Sequence, residues 1–397
     1  MSSQNSASTN RTVPANNGNT RKIFGEAVGF GTRARPGRAA AAIVARGLRD
    51  LARDSNWMVK KAFSGHAPYL EISPPGQLCA VSPMVRQGTE RIALHDIELG
   101  VPTLALAVSG EPSVSTPGLP AAFAWSPTAR YLVAAWGGWL PELHVFDLHG
   151  KAFLGSFGDH SNFPSSLAWS DTGKYFGVAS SGVAEARLRL WATQGLPSSM
   201  PFSANPLHEL GAPAPGKDSG EAQMPDGESS DEGVFSGYGC TAFSPDEKIL
   251  ASVVEIDGDW ADDSISLMEV PSLRREKSFH VQGHVTDLAW TFDSKGLVYC
   301  SAGQAYRLEA EGTETQPLPF GAELCACHPH LPICLCFSSW LRNSAKGRLF
   351  LFDLNNLTVF DEYAAEGVVD LRWSRDGSKA YAVTADGLAY IYEPPLL

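Results

Sequence analysis

Through the body of the chain, apolar and polar residues alternate with a period of two over short runs, and turn-forming residues separate the runs. The clearest stretch is Glu366 to Tyr392, EGVVDLRWSRDGSKAYAVTADGLAYIY. Val368 to Trp373 alternates, Arg375-Asp376-Gly377-Ser378 turns the chain and Ala380 to Val383 returns. Asp386-Gly387 then turns it again, and Leu388 to Tyr392 completes a three-stranded meander. A meander of this size leaves a face and its edges exposed, so it needs neighbours and room for one more strand.

The neighbours are weaker copies of the same pattern. The Trp373-Ser374-Arg375-Asp376-Gly377 landmark has counterparts at Ile72-Ser73-Pro74, Trp125-Ser126-Pro127, Trp169-Ser170-Asp171, Phe243-Ser244-Pro245, Trp290-Thr291-Phe292 and Cys327-His328-Pro329. The steps between the first residues are 53, 44, 74, 47, 37 and 46. All but the 74 lie near the roughly 40–45 residues of a four-stranded propeller blade. In each copy a large apolar residue ends the inner strand toward the neighbouring blade, and the Ser-containing segment turns the chain. Apolar return strands follow, such as Tyr131 to Ala135, Tyr175 to Ala179 and Ile249 to Val253.

Third strands end in His95-Asp96, Phe146-Asp147, Trp191-Ala192, Met268-Glu269, Phe352-Asp353 and Tyr392-Glu393. Together with Gly65-His66 and Gly283-His284, these endings resemble the Trp-Asp and Gly-His signatures of the WD40-repeat family, from Trp57 to the C-terminus. No copy carries the full buried His, Ser/Thr, Asp, Trp set of that family: the last has Thr384 and Asp386 but no His, and the fifth has His284 without a later Asp. The expected fold is all-β, a seven-bladed β-propeller of four-stranded antiparallel blades over residues 57–394. Its last blade stops at Glu393-Pro394 without a fourth strand, while Trp57 to Phe63 reads as an outer strand with no inner strands before it. Pairing the two closes the ring and removes an exposed edge, and the resemblance implies the same closure.

Three segments fall outside the blades. Residues 1–36 are rich in Ser, Asn, Gly and Arg with little apolar periodicity, which predicts a disordered tail. Residues 37–54 place Val44, Leu48 and Leu51 on one helical face and Arg46, Arg49 and Arg53 on the other, a basic amphipathic helix. The 74-residue step holds an acidic insertion over about 195–237, with Asp218, Glu221, Asp226, Glu228, Asp231 and Glu232, which composition predicts to be disordered.

Charge and cysteine usage narrow the function. A formal net charge of -12 disfavours nucleic acid as the partner of the propeller body. The sequence contains no apolar run long enough for a transmembrane helix. Seven Cys, an odd number scattered through strand-like segments, point to reduced thiols and a cytoplasmic setting; the alternative is organelle import through the Arg-bearing N-terminus. No G-x-S-x-G, phosphate loop or H-E-x-x-H is present. The dense run Cys325 to Cys336, with His328 and His330, has metal-ligand residue types, but its Cys occupy positions that are apolar in other copies, so it reads as packing. The acidic run Glu255 to Asp263 lacks the spacing of a calcium loop and reads as a solvated hairpin loop.

The positional signal lies in the loops joining second to third strands: Trp136 and Trp139, then Asp257, Asp259 and Trp260, then Trp340 and Arg342. Trp and Arg dominate interface hot spots. The expectation is a non-catalytic scaffold without cofactor or metal that binds a peptide or partner protein on this loop face. The rival readings are an enzyme or small-ligand propeller using the central channel, and a structural subunit of a larger complex.

Overall fold

The computed structural model describes residues 56–64, 66–67, 69–82, 91–107, 120–136, 142–157, 163–181, 187–193, 201–202, 205–211, 236–256, 262–339 and 347–394. Every regular element among them is a strand, and the strands form seven antiparallel four-stranded blades. In order, the inner strands are Leu70–Ile72, Pro120–Trp125, Phe163–Trp169, Ser236–Phe243, Val285–Trp290, Leu324–Cys327 and Val368–Trp373. Each touches the inner strand of both neighbours, the last meeting the first, so the sheets close into a β-propeller around a central channel. A single ladder pair, Ser181 with Gly237, also joins blades 3 and 4.

The Ser of each landmark has a defined task. Its hydroxyl accepts the backbone N–H that opens the return strand: Leu78 to Ser73 (3.0 Å), Tyr131 to Ser126 (2.9 Å), Tyr175 to Ser170 (3.0 Å), Ile249 to Ser244 (3.0 Å) and Lys379 to Ser374 (2.9 Å). Thr291 serves Gly296 in the same way at 3.1 Å. One hydroxyl thus satisfies a donor that a tight turn would leave without a partner. Blade 6 departs from the pattern. There His328 Nδ1 accepts the N–H groups of His330 and Leu331, both at 3.0 Å, and Nε2 donates to Gly377 O at 3.1 Å. Burial holds this imidazole down at about 4, so it is neutral. Gly377 has φ +73° and would drive a Cβ into that ring, so glycine is required there.

Adjacent blades are tied at the inner strands by one of two devices. Where the landmark residue is Trp, its indole Nε1 donates to a carbonyl of the preceding blade. The pairs are Trp125 to Glu71 O (3.1 Å), Trp169 to Ala124 O (3.4 Å), Trp290 to Ala242 O (3.0 Å) and Trp373 to Ala326 O (3.1 Å). The landmark is Ile72, Phe243 or Cys327 at the other three interfaces, and a side chain three residues before the preceding blade's landmark takes over. Asp370 Oδ2 accepts from Ile72 N (2.8 Å), Ser166 Oγ from Thr241 N (3.1 Å) and Asp287 Oδ2 from Cys325 N (2.9 Å). Every interface carries one device or the other.

The ring closes as the orphan strand predicts. Trp57–Lys61 pairs antiparallel with Leu388–Tyr392, in register from Trp57 with Tyr392 to Lys61 with Leu388. Ala62 N donates to Gly387 O (2.8 Å), Glu393 N to Asn56 O (3.2 Å) and Lys61 Nζ to Asp386 O (2.6 Å). The Trp57 ring lies 5.1 Å from Tyr392 and 5.8 Å from Tyr363. Beside the seam, Lys379 bridges Glu98 (2.5 Å) and Glu393 (2.9 Å).

Three features differ from the sequence expectation. His208–Gly211, inside the supposed disordered insertion, is the outer strand of blade 3, paired with Arg187–Ala192. Phe202 of the same segment is buried against Phe157, Trp169 and Phe176, so a few apolar residues anchor the start of a polar stretch; residues 212–235 lie outside the described residues, as does 1–55 with its predicted tail and helix. In blade 5 the third strand is Gln304–Glu309, ending in Leu308-Glu309, which carries no aromatic–acid signature. The missing partner of His284 comes from the preceding blade, where Asp263 Oδ1 meets His284 Nδ1 at 3.2 Å and Oδ2 accepts Val285 N at 2.7 Å.

Two outcomes follow from these ties. A chain starting after Lys61 should lose protection of Leu388–Tyr392 in hydrogen exchange and melt lower than one starting at Asn56. Trp290→Phe, which keeps the ring but leaves Ala242 O without its donor, should cost about 1–3 kcal/mol in chemical denaturation.

Candidate functional site

The inner strands enclose a cavity of about 600 Å³ that opens at the turn end of the blades. Its wall is set by the residue before each landmark. Five are alanines (Ala124, Ala168, Ala242, Ala289 and Ala326), and the remaining two are Glu71 and Arg372 of adjacent blades 1 and 7. Arg372 Nη2 donates to Glu71 Oε1 at 2.7 Å. Asp287 and Asp370, the two interface carboxylates, line the cavity as well. The rim is formed two residues after each landmark by Pro74, Pro127, Asp171, Pro245, Phe292, Pro329 and Arg375. Phe292 is 38 % exposed there.

Arg375 is exposed yet engaged. Its Nη1 donates to Pro127 O at 3.3 Å and its Nη2 to Asp171 O at 3.2 Å, so one side chain of blade 7 reaches the turns of blades 2 and 3. Its backbone N also donates to Pro74 O at 3.0 Å. The mouth is therefore crossed by a guanidinium.

Enclosure dominates the electrostatics of the wall. Desolvation raises Asp287 to about 7 against the N–H donors of Cys325 and Leu288, and raises Asp370 to about 6 against Arg372 and Ile72 N–H. Burial also raises Glu71, opposed by the Arg372 guanidinium and reinforced by the Asp370 charge. Asp171 at the rim is raised by burial and drawn back by Arg375. Asp287 and Asp370 are each committed to a backbone N–H of the next blade, which makes them parts of the frame as well as of the wall.

Of the sequence-predicted binding residues, Trp136 is among the described ones. Trp136 ends the second strand of blade 2 opposite Pro120 and Glu142, at the end away from the Trp125 turn. Trp139, Asp257, Asp259, Trp260, Trp340 and Arg342 lie outside the described residues; the strands that flank them end on that same side, at Ile256 with Ser264 and at Ser338 with Arg348. Asp262 and Asp263, at the end of the acidic run, accept backbone N–H groups from Gly283 and Val285.

The cysteine run occupies the packing layer between blades 5 and 6. Cys325 pairs in register with Cys336 and Cys327 with Cys334, and Cys300 joins them from blade 5 among Leu318, Phe350 and Phe352. Cys334 and Cys336 Sγ atoms are 3.6 Å apart. A thiol contact from Cys300 together with burial raises Cys325, the Cys334 contact together with burial raises Cys327, and burial raises Cys336. These are protonated thiols packed as small hydrophobes, and His328 is turned away to its own loop.

No protein-family model matches the chain, and no curated protein sequence matches it. Among solved structures, hydrazine synthase of Kuenenia stuttgartiensis superposes with a TM-score of 0.58 at 16 % identity, over 83 % of this chain and 96 % of that one. The likeness is one of fold. It leaves the activity of this chain open.

The raised Asp287 gives a signed pH effect. Unfolded, its carboxyl titrates at about 3.9, so between there and about 7 the folded chain holds a proton that the unfolded chain has released. That contribution is complete below the unfolded value and is lost as pH rises through the folded one. Asp287→Asn removes the titration, so its stability relative to the wild type should rise from about pH 4 to about pH 7 and then level off, as read by denaturation at each pH.

Proposed function

We propose that this protein is a non-catalytic interaction module, a WD40-like propeller that seats a peptide segment of a partner protein at a mouth of its channel. The observation that carries this reading is the rim: four prolines and the exposed Phe292 surround a cavity of about 600 Å³. Prolines hold such a rim rigid, so little ordering entropy is lost on docking, and an exposed aromatic is the kind of residue that anchors interfaces. The channel carboxylates favour binding over turnover, because Asp287 and Asp370 already serve the frame through backbone hydrogen bonds. In the loops that join second to third strands we assign Trp136, Trp139, Trp260, Trp340 and Arg342 the same anchoring role, with Asp257 and Asp259 selecting basic groups.

The test is affinity purification with mass spectrometry on three forms: wild type, a rim variant (Phe292→Asp with Pro245→Asp) and a loop variant (Trp260→Ala with Trp340→Ala). A defined partner should be captured by the wild type and lost from at least one variant, both variants keeping the wild-type circular dichroism spectrum and melting. Retention of the same partners by both variants, or turnover in a broad hydrolase screen, contradicts the proposal.

A further inference from the structure

The ties made by the indoles, by Asp287 and Asp370 and by Ser166 all join neighbouring blades. Arg375 does something different. From the turn of blade 7 it passes over blade 1, donating Nη1 to Pro127 O of blade 2 and Nη2 to Asp171 O of blade 3. Blades 7 and 3 stand three steps apart in a ring of seven, almost opposite one another. All three residues line the cavity, so the side chain that joins them lies across its opening. The mouth is no wider than one arginine side chain can span.

The two ends of this arm rest on fixed parts, while the arm itself is loose. At its base, Arg375 N donates to Pro74 O at 3.0 Å and Gly377 N to Ser374 O at 2.8 Å. Asp376 Oδ1 accepts from Ser374 Oγ at 2.7 Å and from Ser378 N at 3.0 Å. At the far end the acceptors are backbone carbonyls of turns closed by their own hydrogen bonds, Ala129 N to Ser126 O and Gly173 N to Ser170 O, both at 2.8 Å. Between them runs an exposed side chain of staggered, rotatable bonds. Its contacts, at 3.3 and 3.2 Å, lie at the long end for N–H···O, go to neutral carbonyls and compete with water. The Asp171 charge adds attraction through space. Such contacts seat a side chain without locking it, and exposed side chains change rotamer on the picosecond to nanosecond scale.

We propose that Arg375 is a latch on the turn-face mouth: seated on the Pro127 and Asp171 carbonyls it bars the channel, and rotation of this one side chain, without movement of the backbone, admits a small solute. The cavity beneath, of about 600 Å³, has room for one, and Trp125, Trp169, Trp290 and Trp373 line it. The prolines at four of the other rim positions have no arm to swing. The latch belongs to the ring and needs no partner, so it stands or falls apart from the interaction reading.

Acrylamide, a small neutral quencher of indole fluorescence, is the probe. In the wild type the four cavity tryptophans should be shielded from it. Arg375→Ala removes the arm and should raise the fraction of emission open to acrylamide by up to about four-tenths, because four of the ten tryptophans line the cavity. The variant should melt with the wild type, since the position is exposed. Equal quenching of the two proteins overturns the latch, whether the indoles stay shielded in both or are reached in both through the other mouth. Lower melting of Arg375→Ala also overturns it, because the side chain is then a brace whose loss loosens the ring.

Discussion

A propeller holds together only if each blade is tied to the next at the centre, where inner strands lie too far apart in orientation to share a ladder. In this chain that tie is a hydrogen bond between side chain and backbone, made in one of two ways. A landmark Trp reaches back to a carbonyl of the preceding blade, or a residue three positions before the preceding landmark reaches forward to an N–H. The second device appears at the interfaces whose landmark, Ile72, Phe243 or Cys327, has no indole. The repeats look degenerate as letters, and the degeneracy is compensated in the bonding.

That compensation shapes the channel. Two of the three forward ties are aspartates, so replacing Trp by Ile or Cys in the next blade brings carboxylates into an enclosed wall, where desolvation raises them. Five of the seven positions before the landmarks are alanine, which suits inner strands that converge on an axis. Frame and site thus share residues. A substitution at Asp287 or Asp370 changes both, and Glu71 and Arg375 likewise join blades, Glu71 through Arg372 and Arg375 through the carbonyls of Pro127 and Asp171.

Much of the fold was legible because its signals are local. Val368 to Trp373 and Leu388 to Tyr392 are strands at the predicted bounds, since alternation and a Gly-containing turn fix register over a few residues. The seam was legible from an orphan strand at one end and an incomplete blade at the other. What escaped depends on distance. Nothing near His284 announces that Asp263 of the previous blade is its partner. Arg375 reads as one member of a turn, yet it spans more than two hundred residues of sequence to reach Asp171. Phe202 and His208–Gly211 sit in a polar, proline-bearing stretch whose average composition hides a few anchoring residues. Of the site, the loop aromatics were chosen by residue type, whereas Glu71 stood inside a short strand with no motif, and only the ring geometry brings it to Arg372.

The central claim is that the forward ties stand in for the missing indoles. Native-state hydrogen exchange on Ser166→Ala and Asp370→Ala tests it most directly, at the amides of Thr241 and Ile72 that those side chains accept. The account predicts that each substitution releases its own amide and lowers the protection of the two inner strands at that interface, with interfaces closed by Trp unchanged. Protection of Thr241 and Ile72 equal to that of the wild type would contradict it.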